Sequence, residues 1–213
     1  MNEQHLIPKY SPLAVITLTL IAALFGGLLG GGILFAIAAG QGIEVTDLIT
    51  NLDENSPLHQ RNAIRFYTLI NHATTFVLPA LAVAFFLFRD QMWRWLKLDA
   101  APLGSTALLG ATLMIVAFPL VQFSLWLNQQ IPLPDWMVTM EGQTNDMIGG
   151  LLVMNSPLEL LFNLLIIAVL PALGEELIFR GLVQRSFRDW FGNPHVAIWV
   201  TAIIFIAIHF QFQ

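Results

Sequence analysis

The chain has 213 residues, 56% of them hydrophobic and only 11% charged, with a mean hydropathy of +0.71 and a formal net charge of −5. A soluble domain carries about 25% charged residues, so a water-soluble globule is excluded and an integral membrane protein is expected, built as one helical bundle over residues 1–213. The acidic balance gives no nucleic-acid partner, and the absence of cysteine excludes a disulfide framework and any cysteine-based zinc site.

Residues 1–11 are polar, with Lys9 their one firm positive charge. Pro12 to Gly40 is an uncharged apolar run, longer than the ~20 residues a membrane crossing needs. Ala36-Ile37-Ala38 resembles a signal-peptide cleavage site, but the apolar region is too long and its basic start too weak, so a retained helix is expected. Gly26 and Gly30, and likewise Gly27 and Gly31, repeat at a spacing that lets helices approach closely; a merely flexible, glycine-rich span is the alternative.

Gln41 to Asn62 reads as a polar loop with Glu44, Asp47, Asp53 and Glu54. Ile64 to Phe88 is a second span, opened by Arg61 and Arg65, with Pro79 expected to kink it. His72 within it reads as a polar packing contact between helices. Trp93 and Trp95 beside Arg94 and Lys97 fit a membrane interface. Pro102 to Leu127 is a third span. Asn128 to Pro157 reads as a loop, with a weak amphipathic turn from Ile148 to Met154. Leu158 begins a fourth span and His195 a fifth. The fold class is therefore an all-α, polytopic transmembrane bundle of about five spans. Lys and Arg concentrate in the N-terminus, in 89–99 and in 181–194, which places these segments and the N-terminus on the cytoplasmic side. Arg61 and Arg65 are the exception.

The fourth span runs into Pro171-Ala-Leu-Gly-Glu-Glu-Leu-Ile-Phe-Arg-Gly181. Ionisable groups inside a membrane-length helix are costly and mark a site by default. The helix continues past Arg180 with an apolar face until Gly192-Asn-Pro194, a stop-and-turn signal. The next helix then returns antiparallel, so Glu175 and Glu176 should lie level with His209, about 20–25 Å from the turn at ~1.5 Å per residue. Glu176 and Arg180 are four apart with the acid first, the favourable order for an ion pair, and that pair is expected to be buried. Glu175 points about 100° away from it. Burial raises a carboxylate's proton affinity, which suits a general base acting on water, and that role falls to Glu175. His209 could orient the water or bind a metal. Pro171 and Gly174 are expected to loosen the helix beside the acids and admit water.

Glu175-Glu176-x-x-x-Arg180, followed by Phe205-x-x-x-His209, resembles the first two motifs of the CPBP (Abi) family of type II CAAX prenyl proteases and bacteriocin-processing or immunity proteins. The resemblance is close over the last two helices, residues 158–213. It implies an intramembrane peptidase acting on a peptide or protein substrate within the lipid bilayer, its site toward the cytoplasmic side. Glu175 would be the base and His209 would position water or metal. Glu176 and Arg180 would support them, and Phe205 would pack the site. Zinc, held through Glu175 and His209, and a metal-free glutamate mechanism both stay open. The family's third motif, a His followed four residues later by Asn or a similar residue, has no counterpart here, and none of His5, His59, His72 or His195 has the setting to replace it. The chain is accordingly expected to be a fragment. Two rival readings remain: a non-catalytic immunity or scaffold protein of the same fold, and part of a proton- or cation-coupled transporter.

Overall fold

The computed structural model describes residues 10–42, 44, 52–101 and 103–209, apart from the side chains of Gln41 and His209. Lys9, Asp47 and Pro102, used in the sequence reading, lie outside the described residues, as does His5. Every regular element among the described residues is helical. Four helices are long and apolar enough to cross a membrane: Pro12–Gly40, Leu58–Trp95, Gly104–Asn128 and Pro157–Phe191. A shorter apolar helix, Pro194–His209, follows.

The first span starts where Ser11 accepts a hydrogen bond from the Ala14 amide at 3.2 Å with Pro12 next, a favoured opening. It ends at Gly42, whose φ of 67° is the left-handed conformation that glycine adopts without steric cost. Midway it crosses the second span on Gly26 and Gly30, where any Cβ would run into Thr74. Gly27 makes only an ordinary approach to Thr75, and Gly31 has nothing within 4 Å. Close approach is thus confined to the Gly26–Gly30 pair of the two expected from the spacing.

The second and fourth spans run parallel. Glu159 meets Arg61 and Arg65 near their starts, and Gly174 packs on Phe76 and Val77 further along. Both carry the sequence Val-Leu-Pro-Ala-Leu, at Val77–Leu81 and Val169–Leu173. Proline lacks an N–H and crowds the preceding turn. Each copy follows a π-helical stretch, Ala73–Val77 and Leu164–Val169. There Leu78 donates to the Ala73 carbonyl and Leu170 to the Leu165 carbonyl, five residues back rather than four. The wider turn keeps backbone groups bonded where proline interrupts the ladder, as hydrocarbon surroundings demand. Pro79, where a kink is expected from sequence, lies just after this wider turn.

The segment read as a loop from Asn128 to Pro157 is largely helix, Asp135–Leu152. Pro134 sets its start and Asp135 supports the first turn; polar residues such as Gln143 and Asp146 hide its regularity. Its C-terminal end is anchored through Met147, Gly150 and Leu151. The fourth span begins with Ser156 accepting from the Glu159 amide at 3.3 Å and donating to the Glu159 carboxylate at 3.3 Å, a local cap for the helix.

The main core lies among the first, second and fourth spans, around Val15, Ala80, Val83, Leu177 and Leu182. Lipid tails are as apolar as these side chains, so close packing rather than removal from water stabilises this core. Trp93 is half-exposed, as the interface reading expects, but Trp95 is buried, stacked on Phe88 at 4.0 Å. The third span has no buried residue.

Candidate active site

The acidic stretch sits where the fourth span changes pitch, with π-helical turns at Leu164–Val169 and again at Glu176–Val183. Pro171 and Gly174 themselves lie in the short α segment between these two wide turns. Wide turns of this kind recur at functional sites. Gly174 lets the second span come close: a Cβ there would lie 2.8 Å from the Phe76 Cβ.

Glu176 and Arg180 form the expected ion pair. Their side chains are more than half exposed, at 53% and 64%, rather than buried. The residues facing inward on that turn are Leu177, Ile178 and Phe179, and they take the core positions. Glu175 turns toward the second span instead and is half-buried. It lines a cavity of about 350 Å³ between the second span, the fourth span and the helix 135–152. Tyr67, Thr68, Asn71 and His72 give this cavity its other polar groups, while Met147 and Leu151 help to line it. His72, read from sequence as packing, therefore shares a space with Glu175. Its Nδ1 lies 3.2 Å from the Thr68 carbonyl oxygen and its ring stacks on Phe76 at 5.7 Å.

A second polar cluster closes the end of the bundle at which these two spans begin. The Arg65 side chain is fully buried and donates to Glu159 at 3.2 Å, to Asn62 at 2.9 Å, and to the carbonyls of Leu151 and Val153 at 3.3 and 2.8 Å. Arg61 lies 3.7 Å from the same carboxylate and donates to the Ser56 carbonyl at 2.6 Å. Asn163 donates to the Leu151 carbonyl at 2.6 Å. Buried charges must be paired and hydrogen-bonded; this network pairs both arginines through their terminal nitrogens, leaves the Nε of each buried without a partner among the described residues, and fixes the end of the helix 135–152. The two residues that break the charge-bias pattern are thus internal anchors rather than loop charges. The cluster went unnoticed in the sequence because its partners are far apart in the chain; the one local sign was Ser156-x-x-Glu159.

The hairpin after the site forms as the sequence indicates. Gly192 ends one helix at a φ of 63°, and the Asn193 side chain accepts from the amides of His195 and Val196 at 2.9 and 3.4 Å to start the next. Arg185 donates to the Trp95 carbonyl and stacks over the Trp95 ring at 5.0 Å, tying this hairpin to the segment after the second span. Phe179 and Phe205 meet edge to face at 5.1 Å across the hairpin. Phe205 therefore packs against the turn that follows the two acids. His209 closes the last helix; its side chain, and with it the expected approach to Glu175, lies outside the described residues.

No curated protein and no solved structure matches the chain. The model of the Rce1-like family, described as type II CAAX prenyl endopeptidase Rce1-like, matches residues 157–213. That match covers the fourth span and the hairpin, including Glu175, Glu176, Arg180, Phe205 and His209, so the C-terminal part of this chain is similar to the type II CAAX prenyl endopeptidases.

Proposed function

We propose that this chain is an intramembrane endopeptidase in which Glu175 activates water. Glu175 takes a proton from the water as its oxygen bonds to the peptide carbonyl carbon. The C–N bond then breaks, and the proton passes from Glu175 to the leaving nitrogen, leaving a carboxylic acid and an amine. The Glu176–Arg180 pair holds the turn beside the base.

The observation that carries this reading is the Phe179–Phe205 contact. These two residues are equidistant from Gly192, so they set the register of the hairpin. One helical turn further, on the same faces, come Glu175 and His209, again equidistant from Gly192. That register supports His209 as the residue facing the base. Depth supports it too: Glu175 is sixteen residues beyond Glu159, about 24 Å along the axis at 1.5 Å per residue, within a hydrocarbon layer of ~30 Å. With the Arg61–Arg65–Glu159 cluster at one face, Glu175 falls near the opposite one, which we take as the cytoplasmic face.

A catalytic zinc takes three protein ligands. Among the described residues no three His, Asp or Glu side chains gather, and Glu175 with His209 would supply two. Zinc held through Glu175 and His209 would polarise the peptide carbonyl or lower the pKa of the attacking water; the steps above use Glu175 and water, which both routes share.

The test is cleavage of quenched-fluorescence peptides by protein reconstituted in liposomes, with Glu175→Gln compared at equal insertion. The variant should lose about 10²–10⁴-fold in rate. Unchanged cleavage would refute the assignment. Loss of proton- or cation-coupled flux instead of cleavage would indicate a transporter.

A further inference from the structure

We propose that Met147, on the helix 135–152, determines how large an apolar side chain of a peptide substrate the Glu175 cavity accepts; this rests on the peptidase reading above. The cavity is graded from one end to the other. On each span the apolar lining residue comes first: Ile64 precedes Asn71 and His72, and Ile167 precedes Glu175. The spans run parallel, so their apolar ends lie on the same side. There Ile64 and Leu151 belong to one buried cluster, with Met147 and Ile167 packed against it. Ile167 and Glu175 are eight residues apart, about 12 Å along the axis. An extended peptide covers that distance in about four residues at ~3.3 Å each. A peptide with its scissile bond at Glu175 therefore reaches the apolar end with a side chain from within about four residues of that bond.

Space left empty in a packed interior forfeits dispersion contacts, yet about 350 Å³ is kept open here, within the roughly 300–1,000 Å³ usual for ligand cavities. A peptide suits both ends of it. Its backbone offers hydrogen-bonding groups to Tyr67 and Asn71, and its side chain fills the apolar end. A lipid tail would leave the polar groups unmet. The apolar walls differ in how far they can give. Leu151 is fixed, because its carbonyl accepts from Arg65 at 3.3 Å and from Asn163 at 2.6 Å. Ile64 is fully buried and stiff at its branched Cβ. Met147 is half-buried, and its unbranched thioether chain adapts to what it touches. It is the wall whose bulk sets the room available.

The test uses quenched-fluorescence peptides carrying Ala, Leu, Phe or Trp at each position within about four residues of the scissile bond, cleaved by protein reconstituted in liposomes. The ratio of kcat/KM for two peptides on one preparation cancels the inserted fraction, so a variant that merely folds less well leaves it unchanged. At one position Met147→Ala should raise the ratio of the Trp peptide to the Ala peptide at least about tenfold. Met147→Trp should lower it. Leu152→Ala, on the same helix at an exposed position that does not line the cavity, should move no ratio. If Met147→Ala does not insert, Met147→Val is read in its place. Ratios unmoved at every position in the Met147 variants overturn the proposal, as does an equal shift in Leu152→Ala. Cleavage that survives Glu175→Gln sinks the peptidase assignment itself; cleavage that needs Glu175 while the ratios ignore Met147 sinks only the present inference.

Discussion

Replacing Gly26 with alanine should weaken the bundle, whereas the same change at Gly31 should not. A Cβ at Gly26 would overlap the Thr74 carbonyl oxygen, and would lie 2.8 Å from the carbonyl carbon and 3.0 Å from the Pro79 ring. Unstrained carbon contacts fall at about 3.5–4.0 Å. The obstacle is backbone, within the π-helical stretch that leads to Pro79, so no rotamer change relieves it. The first span must back away, which also loosens the fit of Gly30 against Thr74 and Asn71. Overpacking costs about 1–3 kcal/mol, and a backbone neighbour puts this case near 3. Alanine's better helix propensity offsets up to about 1 kcal/mol, leaving a loss of about 2 kcal/mol, or roughly thirtyfold in the folding equilibrium. Gly31 has open space around it, so only the propensity gain applies. Reversible unfolding in mixed detergent micelles would measure both variants against the parent. Equal stability of Gly26→Ala and the parent, or equal losses in the two variants, would show that the first and second spans do not cross at Gly26.

Arg65→Met should destabilise the fold, read by thermal unfolding, because it removes the cation nearest Glu159 and the buried donor to the Leu151 and Val153 carbonyls. Limited proteolysis should then cut more readily within 135–152, whose end Arg65 holds. Arg65→Lys should recover only part of the loss, since an ammonium cannot reproduce the forked contacts to Glu159 and two carbonyls. Gly174→Ala should cost about 1–2 kcal/mol by pushing against the Phe76 Cβ, and cleavage rates should fall further than the lost folded fraction explains, because the shift separates the two walls of the Glu175 cavity. Phe205→Ala should lower stability by about 1–2 kcal/mol through loss of a half-buried ring and its edge-to-face contact, as read by thermal unfolding.

What the sequence disclosed and what it hid follow from the range of the forces involved. The Gly192-Asn-Pro194 turn and the Glu176–Arg180 pair are local devices, and both formed as their spacing indicated. Apolar run length marked the four long spans because a bilayer imposes length directly. By contrast, no local rule joins Arg65 to Glu159 or brings His72 to the cavity that Glu175 lines. Those pairings depend on which spans lie side by side, and hydropathy is blind to that choice. The burial of Trp95 had the same origin, since an aromatic beside basic residues resembles an interface anchor until Phe88 and Arg185 close over it. The helix 135–152 was obscured differently, by polar side chains without apolar periodicity. The exposed setting of Glu176 and Arg180 was misjudged because an apolar run beside an ion pair does not say which way the pair faces.

The wide turns of the fourth span also settle a question of angle. Glu159, Asn163, Ile167, Pro171 and Glu175 follow one another every four residues. In an ideal α-helix of 3.6 residues per turn, each such step overshoots a full rotation by about 40°. Four steps accumulate about 160°, enough to point Glu175 almost opposite to Glu159. Yet Glu159 meets the second span at Arg65, and Glu175 opens onto a cavity lined by that same span. The slower winding of Leu164–Val169 takes up much of the drift, as a leap day keeps a calendar near step with the seasons. The anchoring carboxylate of Glu159 and the cavity-lining carboxylate of Glu175 are thereby both directed toward the second span from one helix.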